Sequence, residues 1–262
     1  HRRFSPAMVE RFFRPWLGGI FLERELVTPA AMLFFVYRMF AEGHAALPTG
    51  GMARIPEQLA SGLKPGSLRL RARVANVHEG EVELADGERV RGRQLVVATE
   101  ADAAATWFPK AVLSPGWRQV TCVQWAAPTS PFAGEPLLWL NGTGQGRINN
   151  IVVPSDVSAG YAPTGRSLVS ATILGDAPES DATLGKILSD ELASHFGPET
   201  RAWHLLAVQR VRKALPILRE PGEGTTPKPL RPGLWLCGDH MTSASIQGAM
   251  ANGEAVAAQI AH

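Results

Sequence analysis

The chain has 262 residues, 45% of them apolar and 19% charged, with 26 basic residues against 24 acidic ones and a net charge of +2. That balance describes a globular protein of one large or two small domains and excludes a disordered chain. The charge is too small, and the basic residues too evenly mixed with acids, for a nucleic-acid partner.

No apolar run approaches the ~20 residues of a membrane span. Charged residues interrupt the first helix throughout, so no secretory signal pattern is present. Cys122 and Cys237 both sit in apolar strand-like runs. That suits buried thiols in a reducing, cytoplasmic setting, although pairing stays open. The chain starts at His1 without an initiator methionine.

Residues 4 to 43 read as helical. Ser5-Pro6 is a cap followed by a first-turn proline, and Met8, Phe12 and Phe13 form an apolar face beside Glu10, Arg11 and Arg14. Pro15 is expected to end or kink this helix, and Gly18-Gly19 to bend the chain. A further helix is expected from Thr28-Pro29 through Met32, Leu33, Phe35, Val36, Met39 and Phe40. Its large side chains read mainly as core, with an apolar pocket as the other use. Leu47 to Met52 is a loop containing Pro48, Gly50 and Gly51, and Ile55 to Leu63 is a short helix.

From Ser67 to Thr99 the pattern is that of strands. Leu68, Leu70, Ala72 and Val74 alternate with Arg69, Arg71 and Arg73, the period of a half-exposed strand with its arginines on a solvated face. Asp86-Gly87 is a hairpin turn, and Leu95 to Thr99 an apolar run expected of a central buried strand. Asp102 to Phe108 reads as a short helix, and Val120 to Ala126 and Pro136 to Leu140 as strands. The glycine-rich Asn141 to Gly146 lacks the third glycine of a nucleotide loop and precedes a strand, Arg147 to Val153. It is a hairpin turn, and its Asn141-Gly142-Thr143 sequon needs no other reading. Ser167 to Leu174 is another strand. Asp181 to Phe196 is an amphipathic helix with Leu184, Ile187, Leu188, Leu192 and Phe196 on one side, capped by Ser180 or Asp181 and stopped by Gly197-Pro198. Leu205 to Leu215 alternates, and Pro221 to Pro232 is a Pro/Gly-rich connector.

The last stretch carries the chemistry. Leu234 to Cys237 is a short apolar strand, Gly238-Asp239 breaks it, and Ser243 or Ser245 caps a helix rich in alanine and glycine. Ile246, Met250, Gly253, Val256 or Ala257, and Ile260 are expected to share the helix's apolar face. A strand, an acidic turn and a bare helix N-terminus make a polar pocket whose amides hold an electron-rich group while Asp239 accepts from hydroxyls. A packing corner uses the same residues, so the pocket rests on the order in which they occur.

That order resembles the C-terminal flavin-contacting segment of the FAD-dependent amine oxidase, phytoene desaturase and protoporphyrinogen oxidase superfamily. There the apolar strand ends in Gly-Asp at the cofactor, and a helix opening with a Ser-Ile-x-Gly-Ala-like sequence lies against the isoalloxazine. Gly238, Asp239, Ile246, Gly248 and Ala249 fall on those positions. The loop with Gly50 and Gly51 resembles the Pro-x-Gly-Gly-Met loop of a desaturase-like branch. The strands after Ser67 resemble the family's β-meander, with Val74 where a backbone contact reaches the adenine and Thr99 ending the strand that returns to the cofactor sheet.

The resemblance implies an α/β (α+β mixed) fold: a partial FAD-binding Rossmann-like domain lacking its first βαβ unit, plus a substrate domain of mixed sheet and helices. Residues 1–46 would be the helical part of the substrate domain and 47–100 the meander and returning strand. Residues 101–232 would be the rest of the substrate domain and 233–262 the C-terminal cofactor strand and helix. It implies an FAD-dependent oxidoreductase moving hydride from an apolar (polyene or terpenoid-like) or amine substrate to flavin, with peripheral membrane contact as in relatives with lipid substrates. The family's GxGxxG occurs nowhere here, which points to a C-terminal portion whose N-terminal dinucleotide-binding segment lies upstream. The alternative is a cofactor-free remnant or interaction module with the same fold. No metal-ligand spacing, paired carboxylate or Ser/His/Asp order stands out, so catalytic residues stay unassigned; His44, His204 and His240 are the lone histidine candidates.

Overall fold

The computed structural model describes residues 4–112, 114–217 and 227–261. In chain order its helices are α1 (Pro6–Met8), α2 (Arg14–Phe21), α3 (Ala30–Glu42), α4 (Arg54–Ser61), α5 (Ala101–Trp107), α6 (Pro154–Val157), α7 (Asp181–Phe196) and α8 (Ile246–Ala261). The strands are β1 (Val74–Val77), β2 (Glu81–Leu84), β3 (Arg89–Arg91), β4 (Leu95–Val97), β5 (Trp117–Ala127), β6 (Leu138–Leu140), β7 (Ile148–Val152), β8 (Ser167–Leu174), β9 (His204–Pro216) and β10 (Leu234–Leu236). The class is mixed α/β. The chain divides into one unit of His1–Gly62 with Arg118–Ala214 and a second of Leu63–Trp117 with Leu215–His262.

The first unit is built on a five-stranded sheet of order β6-β7-β8-β5-β9. β5 and β8 run antiparallel from Val120 opposite Leu174 to Ala127 opposite Ser167. Their two-residue period puts Val123, Trp125, Val169 and Ala171 on one face, where all are fully buried. Leu184, Leu188 and Leu192 of α7 cover that face, one row of a helix spaced by four. Ser180 caps α7 by accepting the Thr183 N–H. The Glu191 carboxylate accepts the backbone N–H groups of Arg147 and Ile148 at 2.8 and 2.9 Å, tying α7 to the start of β7. Asn141 Nδ2 donates to the Gln145 and Ile148 carbonyls, so the glycine-rich stretch is a hairpin turn between β6 and β7.

Pro15 does not end its helix. A π turn at Val9–Phe13 separates α1 from α2, with the Arg14 N–H donating to the Val9 carbonyl, and Pro15 falls in the first turn of α2, where a missing N–H is least costly. Nor do Gly18-Gly19 bend the chain; they lie inside α2, and Leu22, with φ 53°, ends it. The glycines serve proximity. A Cβ at Gly18 would lie 2.8 Å from the Glu23 carbonyl oxygen, and one at Gly19 3.0 Å from Asn150 Oδ1. Helix α3 is the larger departure from expectation, for none of its residues is buried and Phe34 is 71% exposed. Its large side chains are not core. Leu33 instead joins Phe13, Leu17, Phe21, Leu26 and Val27 around an apolar cavity of about 510 Å³. Glu23 is also on this wall, its side chain buried, accepting the Thr28 N–H and paired with Arg118.

In the second unit β1, β2 and β3 form an antiparallel meander, with Gly87 at φ 89° in the turn that the Leu84 N–H closes onto Glu88. The strand expected over 68–73 does not form. A turn at Leu70 and Arg71, with Arg71 at φ 57°, breaks it, and Arg69 pairs both guanidinium N–H groups with Glu88 at 2.6 and 2.7 Å. β4 and β10 pair in parallel, Leu95 opposite Leu234 and Val97 opposite Leu236. Leu234, Leu236 and Val97 pack with Ala104 of α5, while Trp235 and Cys237 face Val256 of α8, so helices lie on both faces. β4 is less buried than expected, since Val96 is 45% exposed. Residues 221–226 of the Pro/Gly-rich connector lie outside the described residues.

Candidate functional site

The corner after β10 is shaped by two glycines and an asparagine. The Cys237 N–H donates to the Val97 carbonyl, extending the parallel ladder to its last residue. At Gly238 the backbone turns with φ 156°, and a Cβ there would lie 2.7 Å from the His240 ring and 3.6 Å from the Thr99 carbonyl oxygen. Only glycine fits. The Gly238 N–H donates to Asn252 Oδ1 at 3.0 Å, so the turn is held from the second turn of α8. Asp239 to Met241 then form one 3₁₀ turn, with the Asp239 carboxylate one-third exposed and His240 Nδ1 3.7 Å from its Oδ1.

Helix α8 opens on Ser245, whose hydroxyl accepts the Gly248 N–H at 2.9 Å. Of the two serines that could cap it, Ser245 therefore does so. A Cβ at Gly248 would lie 2.1 Å from the Ser243 carbonyl oxygen, because the incoming chain folds back over the first turn. The buried side of α8 is Gly248, Asn252 and Val256, not the expected line through Ile246 and Met250, which are 50% and 48% exposed. The helix lies close enough to β10 that small residues and one hydrogen-bonding side chain occupy the contact.

The second unit thus brings Thr99, Gly238 and Asp239 together, with Ile246, Gly248 and Ala249 on the helix that Asn252 ties to the turn. Val74 begins β1, whose far end, Val77, packs on the core containing Val97 and Leu236. Gly50 and Gly51 belong to the first unit, in a turn closed by the Gly51 N–H on the Pro48 carbonyl, with φ of 83° and 100°. His44 and His204 are exposed, whereas the His240 side chain is 93% removed from solvent. Asn252 is not among the cofactor contacts expected from the sequence. Its signal was available: a polar residue amid alanines, four residues from both Gly248 and Val256.

The corner fits the chemistry of a flavin nucleotide. Asp239 is an open acceptor for hydroxyls, and the start of a sixteen-residue helix carries the positive end of its dipole. Burial pushes the Cys237 thiol up, so it stays a neutral packing group beside the site.

An oxidoreductase from Methanosarcina mazei has a similar structure, with TM-score 0.71, 16% identity, and coverage of 98% of this chain and 65% of that one. A protein from Exiguobacterium sp. 255-15 described as a candidate protoporphyrinogen oxidase gives TM-score 0.67 and 17% identity over 98% of this chain and 64% of its own. A reduced UDP-galactopyranose mutase gives 0.58 and 16% over 81% and 54%. The chain therefore spans just under two thirds of the length of the first two. No curated protein matches it. These identities speak for the fold alone, but the profile of the flavin containing amine oxidoreductases matches residues 1–261, and the chain belongs to that family.

Proposed function

We propose that this chain is the C-terminal part of an FAD-dependent oxidoreductase that takes hydride from an apolar or amine substrate, its pyrophosphate-binding segment lying upstream. The observation that carries the reading is the corner at 238–239: a strand end, an open carboxylate and a helix start held together by Asn252. Val96 supports the upstream segment, because strands of parallel sheets are ordinarily buried on both faces and this one is 45% exposed. FAD supplies hydride acceptance. The residues here supply its setting: Asp239 accepts from its hydroxyls, and the start of α8 brings the positive end of a helix dipole with the short side chain of Ala249 beside it. Residues Val74 and Thr99 offer backbone contacts.

The apolar cavity near Phe13 and Leu33, about 510 Å³, supports an apolar substrate such as a polyene or other terpenoid. Exposed Phe34, Tyr37 and Phe40 on α3 support contact with a lipid surface. No helix among the described residues is long and apolar enough to cross a membrane.

The test has two parts. A reading frame extended upstream should contain a strand, GxGxxG and a helix, and the extended protein should keep a visible flavin spectrum through desalting. Asp239→Ala in that protein should lower flavin occupancy. A colourless wild-type protein, or undiminished occupancy in the variant, contradicts the reading.

A further inference from the structure

The sheet of the first unit has a face that α7 does not cover. β5 and β8 alternate, so Trp125 and Val169 face the helix while Ala126 and Leu168, opposite each other across the ladder, face away from it. In β9, Leu205 packs on the α7 side, and its neighbour Leu206 lies on the other. Ala126, Leu168 and Leu206 form the floor of a cavity of about 350 Å³, near the lower end of the range for small-molecule sites. It shares no residue with the cavity near Phe13 and Leu33.

The walls of this cavity are fixed by hydrogen bonds. The Tyr161 hydroxyl donates to the Pro48 carbonyl at 2.9 Å, which holds its ring at the edge. The Leu168 N–H donates to Ser155 Oγ at 3.0 Å and pins the start of β8. Between them the Arg166 N–H closes a turn on the Pro163 carbonyl, with Gly165 at φ 75°, and that turn sets Arg166 on the rim.

Besides Tyr161, whose hydroxyl is engaged, the polar residues of the lining are Arg166, Ser167 and His204, and no acid is among them. Eight other arginines of the unit pair with an aspartate or glutamate. Arg166 and His204 have no side-chain partner among the described residues. A guanidinium at the edge of an apolar floor has a defined complement. A carboxylate matches its fork with two parallel hydrogen bonds and also accepts from a hydroxyl or an imidazole N–H. Walls of low polarity strengthen that ion pair relative to open water. One guanidinium balances one negative charge, which favours a monocarboxylate over a phosphate near two charges.

We propose that this cavity binds an organic monocarboxylate with a short alkyl chain or a single ring, its carboxylate on Arg166 and its apolar body on Leu168 and Leu206. The assignment does not rest on the flavin reading above, for no residue of the 238–239 corner takes part.

Ligand-observed NMR titration of the full chain with octanoate and 3-phenylpropionate tests it, and the tighter of the two identifies the body as chain or ring. 1-Octanol, the same chain without the charge, should bind roughly tenfold more weakly than octanoate. Arg166→Gln alters an exposed residue without side-chain partners and should weaken octanoate by roughly tenfold, the worth of a charge-assisted hydrogen bond. Arg166→Lys should recover part of that loss, since it keeps the charge without the fork. Leu206→Gln makes the floor polar at a half-exposed position and should weaken octanoate by about threefold. Absence of binding by both carboxylates up to about 10 mM overturns the proposal. Equal affinity for octanol, or undiminished octanoate affinity in either Arg166→Gln or Leu206→Gln, overturns it as well.

Discussion

Replacing Asn252 by alanine tests whether the corner after β10 is held from α8. Asn252 is 6% exposed, and its Oδ1 is the acceptor for the Gly238 N–H at 3.0 Å. Removing the acceptor leaves a half-buried amide without a partner, a loss of about 1–3 kcal/mol. Alanine returns roughly 0.5 kcal/mol through its better helix propensity. The net effect is about 1.5 kcal/mol, or about 3–6 °C in the melting temperature of a protein this size. Thermal unfolding followed by circular dichroism measures the shift, and urea titration checks that the slope is unchanged. Asn252→Leu separates hydrogen bonding from packing, since it restores volume and helix propensity without the acceptor. It should remain destabilised. If Asn252→Leu matches wild type, the residue merely fills space and the Gly238 turn does not depend on it.

Three further outcomes follow from the same geometry. Gly248→Ala should cost more than about 2 kcal/mol because its Cβ would lie 2.1 Å from a backbone oxygen, whereas Gly253→Ala, with 3.6 Å to Cys237 Sγ, should be neutral or stabilising by up to about 1 kcal/mol; chemical denaturation of both variants decides it. Glu23→Ala removes the partner of Arg118, itself only a quarter exposed, and should cost about 3 kcal/mol in the same assay. Burial raises the Cys237 thiol and so lowers its thiolate fraction at neutral pH; a maleimide at pH 7 should label it far more slowly in native protein than in urea, with equal rates counting against the burial.

The reading from sequence succeeds where one local rule decides the structure. The alternation of β5 and β8, the row of leucines on α7 and the Ser180 cap are each set within a few residues, and all are present in the structure. The break at Gly238-Asp239 is legible for the same reason, because a glycine and an acid ending an apolar run leave the chain few alternatives. The alternation of Leu68 to Val74 is equally regular, yet it yields a turn. A strand needs a neighbour, and periodicity along one segment does not report whether another edge is within reach.

The missed face of α8 has a different cause. A hydrophobic stripe through Ile246, Met250 and Val256 assumes that burial follows side-chain size. Contact between α8 and the corner after β10 is instead set by close approach, and there glycine is favoured over isoleucine and an asparagine over methionine. The large residues are left on the outside, where Ile246 and Met250 are about half exposed. Asn252 escapes a hydropathy reading because it is polar, and a propensity reading because asparagine is a poor helix former. Its spacing from Gly248 and Val256 marks its face, and its partner lies fourteen residues earlier at Gly238. An asparagine facing the same side as a mid-helix glycine, behind a Gly-Asp turn, is therefore better read as a backbone clamp than as a solvated position. In this corner the side chains that matter most are the ones with the least apolar surface.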